Sequence, residues 1–221
     1  MPAREHFGVV HASFPKALIA SLWVGCSAAS ASDEEWRFRV LLDAKEIGEH
    51  RFTSSTSGAI RKIESNAAFT VEILGIPVYR YRHSASETWR GACLAQLAAQ
   101  TDDNGVITRL DARGGQDGSL ELSVGNETRG VPRCTMSFAY WNPAFLQQTR
   151  LLNAQTGALE QVHVRAMGEG TLEAQGRIVA ARRWRITGAG APLDVWYSAE
   201  GEWLGLDASV AGGRKLSYRL R

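Results

Sequence analysis

The side chains best placed to do chemistry lie between positions 79 and 93. Tyr79, Tyr81, His83, Glu87 and Trp89 share one parity, while Arg80, Arg82, Ser84, Ser86, Thr88 and Arg90 share the other. Successive side chains of a strand point to opposite faces. One strand over 79–93 therefore predicts a basic, solvated face and an aromatic face carrying an imidazole and a carboxylate. His83 with Glu87 is the residue pairing that general acid–base catalysis uses. Two side chains apart on one face, they stand roughly 13 Å from each other along a straight strand. Direct partnership then needs a bulge or a group from another strand, for which Asp194 is a second carboxylate. The plainer alternative is a histidine and a glutamate satisfied inside a curved sheet.

A second cluster is Tyr140, Trp141 and Asn142, followed by Pro143. Asn142 is a good helix cap and Pro143 a good first helical residue. The aromatics there form either a pocket wall or a plug whose rings are core. In 193–197, Val195 and Tyr197 share one face, and Asp194 and Trp196 the other. Phosphate-binding glycine motifs, a Gly-x-Ser-x-Gly elbow and a His-Glu-x-x-His helix are all missing from the sequence. His50, His83 and His163 are scattered, so no metal and no cofactor is expected.

These residues need strands to hold them. Period-two patterning runs through Trp36, Phe38, Val40 and Leu42, then through 47–52 and 60–73. Asp43 to Glu46, Ser54 to Gly58, Asp102 to Gly105 and Gly114 to Gly118 read as turns. Further strands are expected at 159–167, 170–175, 177–187, 192–198, 202–210 and 214–220. The fold class is all-β: a strongly curved antiparallel meander, half-barrel or barrel, with one short helix around 142–148. A sheet of this many strands tends to curl. Its inner face is then filled by side chains, covered, or left as a ligand cavity.

The N-terminus has Arg4 and Lys16, an apolar run over 17–25 and small residues ending Ala29-Ser30-Ala31. That pattern predicts a cleavable secretion signal over 1–31, with Ser32 as the first mature residue and 32–221 as a single β-rich domain. Cys26 offers a competing lipid-attachment site, although Trp23 sits where leucine is usual for one. No stretch is long enough for a transmembrane helix. The chain has 25 Lys and Arg against 23 Asp and Glu. This near-neutral balance gives no bulk pull toward nucleic acid. Cys93 and Cys134 survive processing, and an exported pair favours one disulfide.

Several motifs together resemble the bacterial periplasmic family known as domain of unknown function 6134. They include Trp36-Arg37-Phe38, Ile47-Gly48-Glu49-His50-Arg51-Phe52, Tyr79-Arg80-Tyr81-Arg82-His83 and Thr101-Asp102-Asp103-Asn104-Gly105. Phe138 through Pro143, Leu152 through Gly157, Leu193 through Tyr197 and Gly212-Gly213-Arg214 extend the match. This resemblance implies no activity or catalytic residue. The strand pattern is more distantly similar to curved-sheet periplasmic carriers of lipoproteins, an analogy of architecture. The leading expectation is a periplasmic module that binds a lipid or other apolar or amphipathic molecule. Tyr81, Trp89, Tyr140 and Trp141 would contact it, and His83, Glu87 and Asn142 would orient it. An enzyme using His83, or an envelope assembly factor, are the alternatives.

Overall fold

The computed structural model describes residues 32–115 and 119–221. The expected leader, its cleavage site at Ala31 and the competing Cys26 lie outside the described residues, as does part of the turn expected at 114–118.

The first half of the chain is a run of hairpins: β1 (Ser32–Leu42), β2 (Lys45–Ser57), β3 (Ile60–Ile73), β4 (Ile76–Arg90), β5 (Cys93–Asp103), β6 (Val106–Gly114), β7 (Leu120–Val124) and β8 (Glu127–Val131). The second half holds a small pair, β9 (Arg150–Leu152) and β10 (Leu159–Gln161). It continues with β11 (His163–Ala174), β12 (Arg177–Gly188), β13 (Gly190–Tyr197), β14 (Trp203–Ser209) and β15 (Lys215–Leu220). Thirteen of these strands form one antiparallel sheet in the order β11-β12-β13-β14-β15-β1-β2-β3-β4-β5-β6-β7-β8. Every neighbour in it is also a neighbour in sequence except β15 and β1. These two bring the ends of the chain together, with Phe38 opposite Leu220 and Leu42 opposite Leu216.

Alternation sets which side is buried. On β4, His83, Ala85, Glu87 and Trp89 are buried, while Arg82, Ser84 and Ser86 are exposed. Hairpins close where the chain can adopt left-handed backbone. Asp43-Ala44, Leu74-Gly75, Asn104-Gly105 and Gln175-Gly176 all have positive φ at both residues, the conformation of a turn that matches strand twist. Two boundaries differ from the sequence reading. The strand expected over 79–93 runs from Ile76 to Arg90 and turns at Gly91-Ala92, so Cys93 opens β5. The turn expected at 54–58 lies at Gly58-Ala59, because Ser54 points inward from β2 and is buried.

Residues 132–162 form a plug against the inner face of the sheet. Its helix is one 3-10 segment, Pro143–Gln147, capped by Asn142, whose side chain accepts from the Ala144 amide at 3.1 Å. Phe145, Leu151, Leu152 and Val162 of the plug join Phe38, Trp89, Leu122, Val195 and Trp203 of the sheet in one core cluster. The sheet therefore curves around the plug. Gly157 lies so close to Val124 and Leu110 that a side chain there would collide with both. Gly188 is equally close to the backbone of Gln161 at the plug's exit. A disulfide, Cys93–Cys134, ties the plug's entry to β5. No described helix is long and apolar enough to cross a membrane.

Candidate functional site

A cavity of about 250 Å³ lies between the inner faces of β2 to β4 and the plug. The sheet contributes His50 and Phe52 from β2, Ile63 and Ser65 from β3, and His83, Ala85 and Glu87 from β4. These positions are inward because alternation puts them there. Ser137 to Trp141 and Asn153 to Gln155 of the plug close the opposite side, with Glu160, Ala189 and Leu193 at the margin.

Each polar group in the sheet wall is held by a different partner. His83 Nδ1 is 2.9 Å from Thr101 Oγ1 on β5. The Trp89 indole N–H donates to Glu87 at 2.8 Å, and Ser137 of the plug also hydrogen-bonds that carboxyl. His50 Nε2 is 2.7 Å from Ser65 Oγ, and the ring stacks on Phe52 at 4.1 Å between centroids. Its other nitrogen, Nδ1, is sealed from solvent and has no hydrogen-bond partner.

Burial sets the charge of this wall. It lowers His50 to about 3, with a smaller contribution from His83, and lowers His83 to about 4. Burial likewise pushes the Glu87 carboxyl up, against the opposing pull of its bonds from Ser137 and Trp89. Both imidazoles are therefore neutral near pH 7. As a Ser–His pair, Ser65 and His50 lack a group to orient Nδ1, and an imidazole so reluctant to take a proton is a weak base. The wall is better built to hydrogen-bond than to move protons.

The structure gathers His83, Glu87, Tyr140 and Trp141 at this cavity and places the other candidates elsewhere. Trp89 is completely buried behind it, edge-on to Trp141 at 5.3 Å. Asn142 spends its side chain on the helix cap. Tyr81 stacks on Phe69 at 5.1 Å in a second, smaller cluster of the inner face. Asp194 is on the outer face, paired with Arg185 at 2.7 and 2.8 Å, beside Trp196 with Arg183 over its ring. It is no partner for His83. His50, Ser65 and Ser137 also line the cavity, and no sequence motif marks them as a group. The parity of His50 with Phe52 was the available signal, since it puts the imidazole on the buried face of β2.

Trp141 and Tyr140 also show how the plug is held. Arg61 of β3 lies 5.0 Å above the Trp141 ring. The Tyr197 hydroxyl of β13 donates to the Tyr140 carbonyl at 2.6 Å, and the Tyr140 ring lies 5.4 Å from Trp203 of β14. The cavity ceiling is therefore fastened to both halves of the sheet. Among the described residues, no three His, Cys, Asp or Glu side chains gather closely enough to hold a metal ion.

A family model described as "Domain of unknown function (DUF6134)" matches residues 38–221. Among solved structures, this chain is similar to a beta-barrel-like protein of domain of unknown function DUF1849 from Brucella abortus. That likeness has a TM-score of 0.58 at 11% identity and covers 85% of this chain and 94% of that one. At such identity it is a likeness of fold. No curated protein matches the chain.

Proposed function

The chain belongs to the DUF6134 family, and for this member we propose a periplasmic binding module that holds a small amphipathic molecule, or one end of a larger one, between its curved sheet and its plug. The observation that carries this is the cavity itself, with neutral imidazoles and a buried carboxyl on one wall and Tyr140 and Trp141 on the other. Its volume is a little below the roughly 300–1,000 Å³ of clefts that bury a drug-sized ligand. The polar side chains of His50, Ser65, His83, Glu87 and Ser137 in its lining support a ligand with a hydrogen-bonding group. The Cys93–Cys134 bond and the secretion-signal pattern over 1–31 support export to an oxidising compartment.

Native mass spectrometry of the protein recovered from a bacterial periplasm tests the reading. The expected spectrum contains an added non-covalent mass that Ala85→Leu removes, since this change fills the cavity from the buried face of β4. Overfilling a tight core costs about 1–3 kcal/mol, but a side chain growing into open space avoids most of that. A single ligand-free mass for both proteins, each folded by circular dichroism, rules the reading out.

A further inference from the structure

The β3–β4 hairpin outruns its pairing with both neighbours. The last residue of β3 paired with β2 is Phe69, opposite Gly48, and the last residue of β4 paired with β5 is Tyr81, opposite Asp103. Beyond these, residues 70–80 form a two-stranded ribbon that pairs along its length only with itself. At its base the Arg80 carbonyl accepts from the Asn104 amide and the Tyr79 hydroxyl donates to Asp103. At about 3.3 Å per residue, the ribbon projects roughly 13–16 Å past the β5–β6 turn at Asn104-Gly105. On its other side the β1–β2 hairpin runs on, unpaired with it, to its own turn at Asp43-Ala44.

Its end is apolar. Ile73, Leu74, Ile76 and Val78 are 60, 96, 65 and 47% exposed, with Pro77 exposed between them and Glu72 exposed just before Ile73. The turn is built at a conformational cost as well. Leu74 has φ of 53° and Gly75 of 77°, and the first of these positions favours Asn, Asp or Gly. A leucine there is both strained and almost wholly in water, so neither the turn nor the core gains from it.

We propose that this tip inserts into the interfacial layer of a lipid bilayer, placing Ile73, Leu74, Ile76 and Val78 among acyl chains and Arg80 and Arg82 at the phosphates. Area argues against a protein partner. Four aliphatic side chains expose on the order of a few hundred Å², against about 800 Å² per partner in a stable protein interface. Shape points the same way, because residues 72–78 are exposed without interruption around the turn. Such a ribbon end suits a medium that surrounds it better than a surface that meets one face. Charge at the base is mixed, with Asp102 opposite Arg82, Asp103 opposite Tyr81 and Glu72 exposed beside the tip, but two cations stand behind the apolar end. Arg80 and Arg82 are exposed directly behind the apolar residues, at the level where lipid phosphates would lie, and each basic residue near an anionic surface adds to attraction. This attachment goes beyond the cavity reading and does not depend on it.

Flotation of the purified protein with unilamellar vesicles tests the proposal, using phosphatidylcholine alone and phosphatidylcholine with phosphatidylglycerol. The wild-type protein is expected to float with both, more strongly with the anionic mixture. Leu74→Asn is expected to lose at least tenfold in vesicle partitioning while its thermal midpoint stays level or rises, since asparagine suits the left-handed turn. Ile73→Ser with Ile76→Ser should lose as much without affecting any mass added to the cavity. Arg80→Gln with Arg82→Gln should weaken binding to the anionic vesicles only. Wild-type protein that stays with neither vesicle, or Leu74→Asn that floats like wild type, overturns the proposal. So does light scattering that finds a dimer which Leu74→Asn converts to monomer, because the tip would then be covered by a second copy.

Discussion

Two buried imidazoles and one buried carboxyl face the same cavity, and their protonation works in opposite directions. The fold keeps His50 neutral down to about 3 and His83 down to about 4, whereas an unfolded chain protonates both near 6.5. Below 6.5 the unfolded state binds more protons, so stability falls with falling pH, by up to about 1.4 kcal/mol per pH unit for each ring. Glu87 behaves oppositely. Its folded value lies above 4.5, so the folded state holds the extra proton and stability falls as pH rises through 4.5. Between 4.5 and 6.5 two rings oppose one carboxyl, and the wild-type protein should lose stability on acidification. Replacing both rings by glutamine, which can still bond Ser65 and Thr101, should reverse the slope in that window. Glu87→Gln should steepen it. Urea denaturation at several pH values reads these slopes directly, and a double glutamine variant with the wild-type slope would show that other groups govern the window.

At the scale of elements, the plug depends on a few fastenings, and the disulfide is the one that closes a long loop. Cys93 and Cys134 are separated by 41 residues. Chain-entropy arguments put the stabilisation from closing such a loop at about 4 kcal/mol at most. Replacing both cysteines with serine should therefore lower unfolding free energy by roughly 2–4 kcal/mol. The Leu94 amide bond to the Thr135 carbonyl, at 3.1 Å, would remain as a weaker tie. A loss under half a kcal/mol in the same urea titration would mean that the plug is seated by its core packing and hydrogen bonds without help from the disulfide. What the sequence revealed about these elements follows from the range of the forces involved. Alternation is local, so the two faces of β4 were legible from Tyr79 to Trp89, and Asn142-Pro143 announced its own cap. The cavity depends on which residues lie across from β4. His50 and Ser137 reach it through strand register and plug docking, which no local pattern encodes. Tyr81 and Trp89 illustrate the converse, since parity assigned their face correctly while distance along the strand and packing depth removed them from the cavity.

At the scale of the molecule, the chain is two meanders joined by one seam. Each hairpin from β1 to β8 and from β11 to β15 forms between sequence neighbours, and short closures are entropically cheap. The seam between β15 and β1 joins Phe38 to Leu220 and Leu42 to Leu216 across almost the whole described chain. The Arg221 amide extends it to the Arg37 carbonyl at 2.8 Å, and the Arg214 side chain reaches Asp43 at 2.6 Å. Contacts this distant in sequence become favourable once both partner surfaces exist, which places the seam late in folding. Leu220 is 4% exposed in the shared core, so Leu220→Ala should cost about 2–5 kcal/mol. A late seam means that this cost appears almost entirely as faster unfolding, with the refolding rate nearly unchanged. Ile63→Val on β3, inside the first meander, should instead slow refolding by a measurable part of its about 0.5–1.5 kcal/mol. Stopped-flow measurements of both arms distinguish the two cases. Slowed refolding in Leu220→Ala would mean that the ends of the chain meet before the meanders are complete, making the seam the nucleus around which the sheet curves.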